Sequence, residues 1–180
     1  MNKKKYQFAE ELVRELQDMP YAKLSISNLC KSLHCSRQSF YYYFDAIDDC
    51  FVYYLKETFK LQIRNDYLIS DIFNFANKNA DFITECLKDD TATSLFWENF
   101  FAYVKDVLNT VLTDSIEEYV VLYIEQKDAL TSFYAAGFLE QLRSYIVNNH
   151  QPTADRCVKC CLAIFGSTDD VRNLILRISK

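Results

Sequence analysis

The sequence predicts an all-helical protein. Its 180 residues include only two glycines and two prolines, so the chain has few of the residues that tight turns between strands require. Half of the residues are hydrophobic, which is enough for a substantial core. Apolar residues also recur three and four positions apart through most of the chain, which is the spacing of one helical face. A chain of this length predicts one domain, or a small domain joined to a larger one.

The first predicted helix has one apolar face, formed by Phe8, Ala9, Leu12, Val13 and Leu16. We expect it to end before the first proline, because the residue that precedes a proline disfavours the α conformation.

Two short helices are predicted next, joined by a tight turn. Ser25 or Ser27 is the expected N-cap of the second helix, and Ser36 is the expected N-cap of the third. In the third helix Phe40 and Phe44 share a buried face, since they are four residues apart. A helix followed by two short helices across a tight turn is the layout of a helix-turn-helix module.

The remaining segments also follow the helical pattern. Asp45 is the predicted cap of a fourth helix, whose buried stripe comprises Ile47, Cys50, Phe51, Tyr54, Leu55 and Leu61. Further helices are predicted near 71–88, 92–112, 115–126, 128–149, 153–165 and 168–179. The segment near 119–124 also has the composition of a strand, but the spacing of its apolar residues favours a helix.

Charge is distributed unevenly along the chain. Residues 1–43 contain seven Lys or Arg and four Asp or Glu, a net charge of +3. Since the whole chain carries −5, the remainder carries −8. A basic segment attached to an acidic one is typical of a protein whose basic end meets a polyanion such as nucleic acid.

The stretch FYYYF, residues 40–44, cannot place all of its rings inside. If the two phenylalanines are buried, the other side chains of this helix face outward or sideways, and these are Arg37, Gln38, Ser39, Tyr41, Tyr42 and Tyr43. Arginine suits guanine edges, glutamine suits adenine edges, and a tyrosine hydroxyl can donate to a phosphate. Ser27, Lys3, Lys4 and Lys5 are expected to contact the DNA backbone. The alternative is that the whole stretch is buried as ordinary packing aromatics.

The segment SISNLCKSLHCSRQSFYYYFDAIDDC, Ser25–Cys50, resembles the DNA-binding signature of the tetracycline-repressor (TetR) family. The matching residues are Ser25, Leu29, Ser36, Phe40, Tyr41, Tyr43 and Phe44. A second segment, Phe133–Asn149, more loosely resembles the dimerising helix of a subgroup that includes regulators of dihydroxyacetone kinase operons. The resemblance implies a DNA-binding head at residues 1–45 that reads a near-palindromic duplex. It also implies a helical body at 46–180 that forms a homodimer and binds an apolar or aromatic effector.

Three residues depart from the family pattern. Cys30 replaces a small alanine, His34 stands where the turn normally has glycine, and Ile47 replaces a lysine that contacts phosphate in the family. If the turn requires a positive φ, histidine adopts it only at some cost. These departures motivate an alternative function: a helical protein-interaction regulator with weakened DNA binding that acts through a protein partner.

The acidic body carries the residues expected to bind an effector and a second copy of the chain. The resemblance implies an effector cavity, for which the candidates are Phe73, Phe96, Trp97, Phe100 and Tyr103; the alternative is that these rings simply form a core. Dimerisation is expected through the helices near 128–149 and 153–165, as a four-helix bundle, with contacts from Leu130, Phe133, Phe138, Leu142, Tyr145, Cys157 and Cys161.

Other function classes find little support in the sequence. The two histidines, His34 and His150, are far apart and there is no glycine-rich phosphate loop, so no enzymatic activity and no cofactor site are predicted. The segment CVKCC is interpreted as helix-packing cysteines, since a structural zinc site needs four ligands; a metal or redox site is the alternative. The longest apolar run is far shorter than a membrane span and no secretory signal is present, so a cytoplasmic location is predicted.

Overall fold

The computed structural model describes residues 2–64, 67–116 and 124–165. Within these ranges every regular element is a helix, which confirms the predicted all-α class. The elements are α1 (Lys3–Asp18), a single 3-10 turn (Tyr21–Lys23), α2 (Ile26–Ser32), α3 (Arg37–Tyr41), α4 (Ile47–Gln62), α5 (Leu68–Lys78), α6 (Ala80–Cys86), α7 (Asp90–Ile116), α8 (Ile124–Val147) and α9 (Ala154–Phe165).

The described residues fall into two compact units. The first contains residues 2–61 and 79–99, and the second contains 62–64, 67–78, 100–116 and 124–165. Helix α7 contributes residues to both units. The predicted head at 1–45 belongs to the first unit, and its boundary with a functional body at 46 stays a prediction.

Local side-chain caps decide where the first helices begin. Asn2 accepts hydrogen bonds from the amides of Lys4 and Lys5, so α1 starts at Lys3. Ser25, rather than Ser27, caps α2 through the amide of the third residue after it, at 3.2 Å. Ser36 caps α3 in the same way, also at 3.2 Å. Each cap satisfies an amide that the helix itself leaves without an acceptor.

Helix α4 begins at Ile47, two residues after the predicted cap. Asp49, not Asp45, accepts the hydrogen bond at this end, from the amide of Ala46 at 3.0 Å. The predicted buried stripe is wrong at its last member, because Leu61 is 66% exposed. Thr58 and Phe59 occupy the buried face of that turn instead.

Later helices follow the predicted segments with one break. The segment predicted as one helix over 71–88 is two helices, α5 and α6, separated at Asn79. Asparagine competes for its own backbone hydrogen bonds and is a weak helix former, which favours a break there. Helix α7 covers the prediction at 92–112, α8 ends two residues short of the prediction at 128–149, and α9 begins one residue after the start of the prediction at 153–165. The helix predicted over 168–179, and most of the one over 115–126, lie outside the described residues.

Aromatic contacts form the core of the first unit. Helix α1 packs on α2 and α6. The ring of Tyr21 lies 5.2 Å from that of Phe51, and its hydroxyl donates to Asp48 Oδ1 at 2.6 Å. Burial, followed by this hydrogen bond, raises the pKa of Tyr21 well above its usual value. This contact therefore ties the 3-10 turn after α1 to the first turn of α4.

The second unit is built on contacts among α5, α8 and α9. Asn77 Oδ1 on α5 accepts from the Tyr145 hydroxyl at 2.6 Å and lies 2.8 Å from His150 Nδ1. At the other end of α5, Arg64 Nε donates to Asp71 Oδ2 at 2.8 Å. This hydrogen bond holds the pKa of the Asp71 carboxyl below its usual value, even though partial burial opposes the shift.

The turn between α2 and α3 adopts the left-handed conformation that the family pattern assigns to glycine. His34 has a φ of 49°. Its amide donates to the Lys31 carbonyl at 3.2 Å, and the Cys35 amide donates to the Cys30 carbonyl at 2.9 Å. These two bonds form a Schellman motif, which satisfies carbonyls at the end of α2. The sequence analysis stated the cost of a positive φ at this position only as a condition, and the structure shows that the condition is met.

We expect His34→Gly to be more stable than His34→Ala by about 1 kcal/mol. Alanine keeps the Cβ that clashes in the left-handed region, whereas glycine removes it. The His34 side chain is exposed, so both changes remove little packing. Urea unfolding of the two variants measures the difference in the free energy of unfolding. Equal stability of the two variants would show that this position does not hold a positive φ.

Candidate nucleic-acid interface

Helix α3 is anchored from beneath by two phenylalanines. Phe40 is fully buried and Phe44 nearly so. The Phe40 ring meets Phe8 of α1 edge-on at 5.5 Å and lies 5.5 Å from Phe44. Edge-on aromatic contacts in a core add to the free energy gained by burial itself. The predicted inward pair is therefore the pair that fixes α3 on α1.

The three tyrosines of FYYYF are not buried with the phenylalanines. Tyr42 is 80% exposed and Tyr41 is 48% exposed. Tyr43 is half-buried, with its ring 6.2 Å from Phe8 and 4.8 Å from Tyr42. Helix α3 ends at Tyr41, so it is shorter than the predicted helix, and Tyr42 is its C-cap. The stretch thus presents two phenols to solvent and rests the third against α1, which excludes the alternative of a wholly buried stretch.

A shallow groove of about 330 Å³ runs beside the exposed face of α3. It is lined by Lys4, Ser36, Gln38, Ser39, Tyr42 and Tyr43. Five of these residues belong to the predicted DNA-contacting set, and the structure brings them together from α1 and α3. The lining contains one cation, several hydroxyls and an amide, and no carboxylate. Such a surface offers hydrogen-bond donors and positive charge to an anion.

Arg37 and Ser27 are two further exposed residues of the predicted set. Arg37 is the first residue of α3, and its side chain is exposed. Ser27 is exposed in the first turn of α2. Neither residue lines the groove at Lys4. A ligand that contacts both the groove and these two residues must therefore extend beyond the groove along α2 and α3.

The three amino-terminal lysines lie in the first turn of α1, not in an extended arm. Lys3 and Lys4 are exposed. Lys5 Nζ sits 4.9 Å from the centre of the Phe44 ring and 4.6 Å from that of Tyr53. This double cation–π contact holds Lys5 against the protein, so Lys3 and Lys4 are the more accessible cations at this end.

Two features of the first helices were not predicted from the sequence. Lys5 was expected to contact DNA, and nothing in the local sequence indicates that two rings from other segments would hold it. Glu15 is buried between α1 and α2, where its Oε1 accepts from the Ser32 hydroxyl at 2.9 Å. Its position three residues after Leu12 on the apolar face was the signal that its side chain points inward.

The aromatic residues predicted to bind an effector are divided between the two units. Phe96 and Trp97 are buried in the first unit, where their rings lie 4.9 Å apart. Phe73 and Phe100 are buried in the second unit. Tyr103, half-buried in that unit, donates its hydroxyl to the Ile63 carbonyl at 2.8 Å. Their role in binding an effector stays a prediction.

Most of the residues predicted at a dimer interface are covered by their own chain. The buried ones are Phe138, Leu142, Tyr145, Cys157 and Cys161. Leu130 is half-buried, whereas Phe133 is 67% exposed on α8. Leu162 on α9 is a further exposed apolar residue. The role of the whole set in dimerisation stays a prediction, and Phe133 is its most accessible member.

The cysteine cluster of α9 is split between interior and solvent. Cys157 and Cys161 are buried, and Cys160 is exposed. Cys157 donates to the Pro152 carbonyl at 3.5 Å. Within residues 2–64, 67–116 and 124–165, no three His, Cys, Asp or Glu side chains are grouped so that they could hold a metal ion. Among the helices of those same ranges, none combines the length and the apolar character needed to cross a bilayer.

Comparisons with known proteins show a likeness at the level of the fold. No family model matches the chain, and no curated protein matches it in sequence. Among solved structures, the dihydroxyacetone kinase operon activator DhaS is similar with a TM-score of 0.64, over 91% of this chain and 96% of that one. The two sequences are 17% identical over this match. At that identity the likeness shows a shared fold.

We expect Phe40→Ala to lower the free energy of unfolding by about 3–5 kcal/mol, because it leaves a cavity beneath α3. Tyr42→Ala, two residues away, is the matched control. It removes an exposed ring and should cost less than about 1 kcal/mol. Urea unfolding followed by circular dichroism compares the two. Equal losses would contradict the assignment of Phe40 as the anchor and Tyr42 as a surface residue.

Proposed function

We propose that this protein is a transcriptional regulator that binds duplex DNA through the exposed face of α3. The observation that carries the proposal is the division of that helix and its C-cap into a buried anchor, Phe40, and an exposed polar side that includes Gln38 and the C-cap residue Tyr42. The fold shared with an operon activator supports it, as does the net charge of +3 on residues 1–43. In this proposal residues 1–45 form the DNA-binding head.

Each exposed residue has a definite task in this proposal. Arg37 and Gln38 lie in the first turn of α3 and read base edges in the major groove. Lys4 and Tyr42, which line the same groove on the protein surface, contact phosphates on the flanking backbone. Lys5 positions the start of α1 and does not itself contact DNA, because its ammonium group is held between the rings of Phe44 and Tyr53.

The departures from the family pattern have unequal consequences for this proposal. His34 leaves the turn between α2 and α3 intact, because both hydrogen bonds of the Schellman motif form around it. Ile47 is half-buried in the first turn of α4 and brings no charge to the DNA-facing end of that helix. Compared with a family member that has lysine at this position, the protein is therefore expected to make one fewer phosphate contact. Its DNA affinity should depend correspondingly less on salt concentration.

Fluorescence anisotropy with duplexes from immediately upstream of its own coding region tests DNA binding. Arg37→Ala should weaken binding to the preferred duplex by about 1–3 kcal/mol and relax its sequence preference. Lys4→Ala should weaken binding to all duplexes alike and reduce the salt slope by about 1. The two effects differ because a base contact carries sequence information and a phosphate contact does not.

Lys88→Ala is the control, since it removes one positive charge from the same unit at the end of α6. It should leave affinity for the preferred duplex nearly unchanged. Equal losses in Arg37→Ala and Lys88→Ala would contradict readout by α3. Absence of binding at low salt, together with recovery of a specific protein partner, would support the alternative protein-interaction regulator.

Dimerisation through α8 and α9 is the second part of the proposal, placed in a body formed by residues 46–180. Phe133 and Leu162 are large apolar side chains that their own chain leaves largely exposed. Covering exposed apolar side chains with a second copy of the chain favours association, because it removes apolar surface from water. A two-fold dimer would present two copies of α3, as a near-palindromic site requires.

We expect Phe133→Glu to raise the dissociation constant of the dimer at least tenfold, because it buries a charge at the contact. Sedimentation equilibrium measures the constant. Leu61→Glu, which changes an exposed leucine on α4, is the matched control and should leave it unchanged. An unaltered constant in Phe133→Glu would place the contact elsewhere.

The proposal includes a small-molecule effector bound by the body. Phe73 and Phe100 are fully buried, so a ligand that touches them must select a more open conformation of the second unit. Such a ligand shifts DNA affinity only as far as it prefers one conformation over another. An apolar or aromatic compound fits the lining that these rings provide.

A further inference from the structure

Two cysteines flank the turn between α2 and α3. Cys30 lies in the last turn of α2, Cys35 immediately precedes the cap of α3, and both are free thiols. The Cys35 amide donates to the Cys30 carbonyl at 2.9 Å. With standard bond lengths, that hydrogen bond keeps the two Cα atoms within about 6.8 Å of each other. Disulfides join cysteines whose Cα atoms are about 4.4–6.8 Å apart.

The thiol of Cys30 also lies beside the segment that carries Cys35. Cys30 Sγ donates to the Ser36 carbonyl at 3.5 Å, which places this thiol over the turn. The backbone bond and the hydrogen bond from Cys30 Sγ to the Ser36 carbonyl are independent, and both place Cys30 close to Cys35 while α2 and α3 stay folded.

The two thiols differ in how accessible they are. Cys30 is buried, whereas Cys35 is half-buried. Burial first, and then the neighbouring Cys35 thiol, raise the pKa of Cys30 to about 11. Because the thiolate is the nucleophile, an oxidant from solvent reacts with Cys35 first and Cys30 is placed to resolve the product.

We propose that Cys30 and Cys35 form a reversible disulfide, with a small-molecule disulfide such as oxidised glutathione as the oxidant. The Cys35 thiolate attacks one sulfur of the oxidant, the S–S bond of the oxidant breaks, and one glutathione thiolate leaves. Cys30 then gives its proton to solvent and attacks Cys35 Sγ, and the second glutathione thiolate leaves. The two cysteines lose two electrons, and the oxidant gains them as two glutathione thiols.

The crosslink spans the Schellman turn. It joins the end of α2 to the residue before the cap of α3. Oxidation therefore restrains the segment that connects the two helices. This inference concerns the chemistry of the turn, and it holds whether or not the exposed face of α3 binds DNA.

Peptide mapping of the full-length, folded protein tests the inference. The protein is incubated with oxidised glutathione, alkylated, and digested with trypsin without reduction. Trypsin cleaves after Lys31, between the two cysteines, so the disulfide appears as peptide 24–31 linked to peptide 32–37. We expect this linked pair to form, to separate on treatment with dithiothreitol, and to be lost completely in Cys30→Ser and Cys35→Ser.

Two internal comparisons make the result decisive. In Cys30→Ser the reaction should stop at a glutathione adduct on Cys35, which shows the order of the two steps. Cys160 is exposed on α9, so an adduct there shows that the oxidant has reacted with the protein. An adduct on Cys160 without linkage of peptides 24–31 and 32–37 would overturn the proposal. Linkage found only after unfolding in urea would overturn it equally.

Discussion

The burial of Phe40 against Phe8 is the interaction on which the proposed interface depends. Helix α3 has only five residues, too few to be stable by itself, so tertiary contacts must hold it. Phe40 supplies that contact with α1, and Phe44 extends it. Once both phenylalanines are fixed, helical geometry leaves Gln38, Tyr41 and Tyr42 on the other side.

Backbone geometry makes the second contribution, by setting how α3 follows α2. The left-handed residue at His34 and the two hydrogen bonds around it end α2 and turn the chain into α3 over residues 33–36. A second turn of the same kind ends α8, where the Asn149 amide donates to the Ile146 carbonyl and the His150 amide to the Tyr145 carbonyl. In both places a side chain makes a hydrogen bond at the turn: the Cys30 thiol with the Ser36 carbonyl in the first, and the His150 imidazole with Asn77 in the second.

Local features of the structure were predictable from the sequence, and long-range ones were not. The caps at Ser25 and Ser36 and the pairing of Phe40 with Phe44 depend on residues at most four positions apart, so the sequence indicates them directly. The break between α5 and α6 was missed, although Asn79 disfavours the helix locally. The sandwich of Lys5 between two rings brings together residues nearly fifty positions apart, which periodicity does not reveal.

Amide spectra of the 15N-labelled protein, recorded during titration with the preferred duplex, are the most direct test of whether DNA binds at α3. The account predicts that the largest shifts occur at Lys4 and at residues 36–43, with little change in α6. Spectra that do not change, or whose largest shifts lie in α8 and α9 instead, would contradict the claim that α3 is the surface that meets DNA.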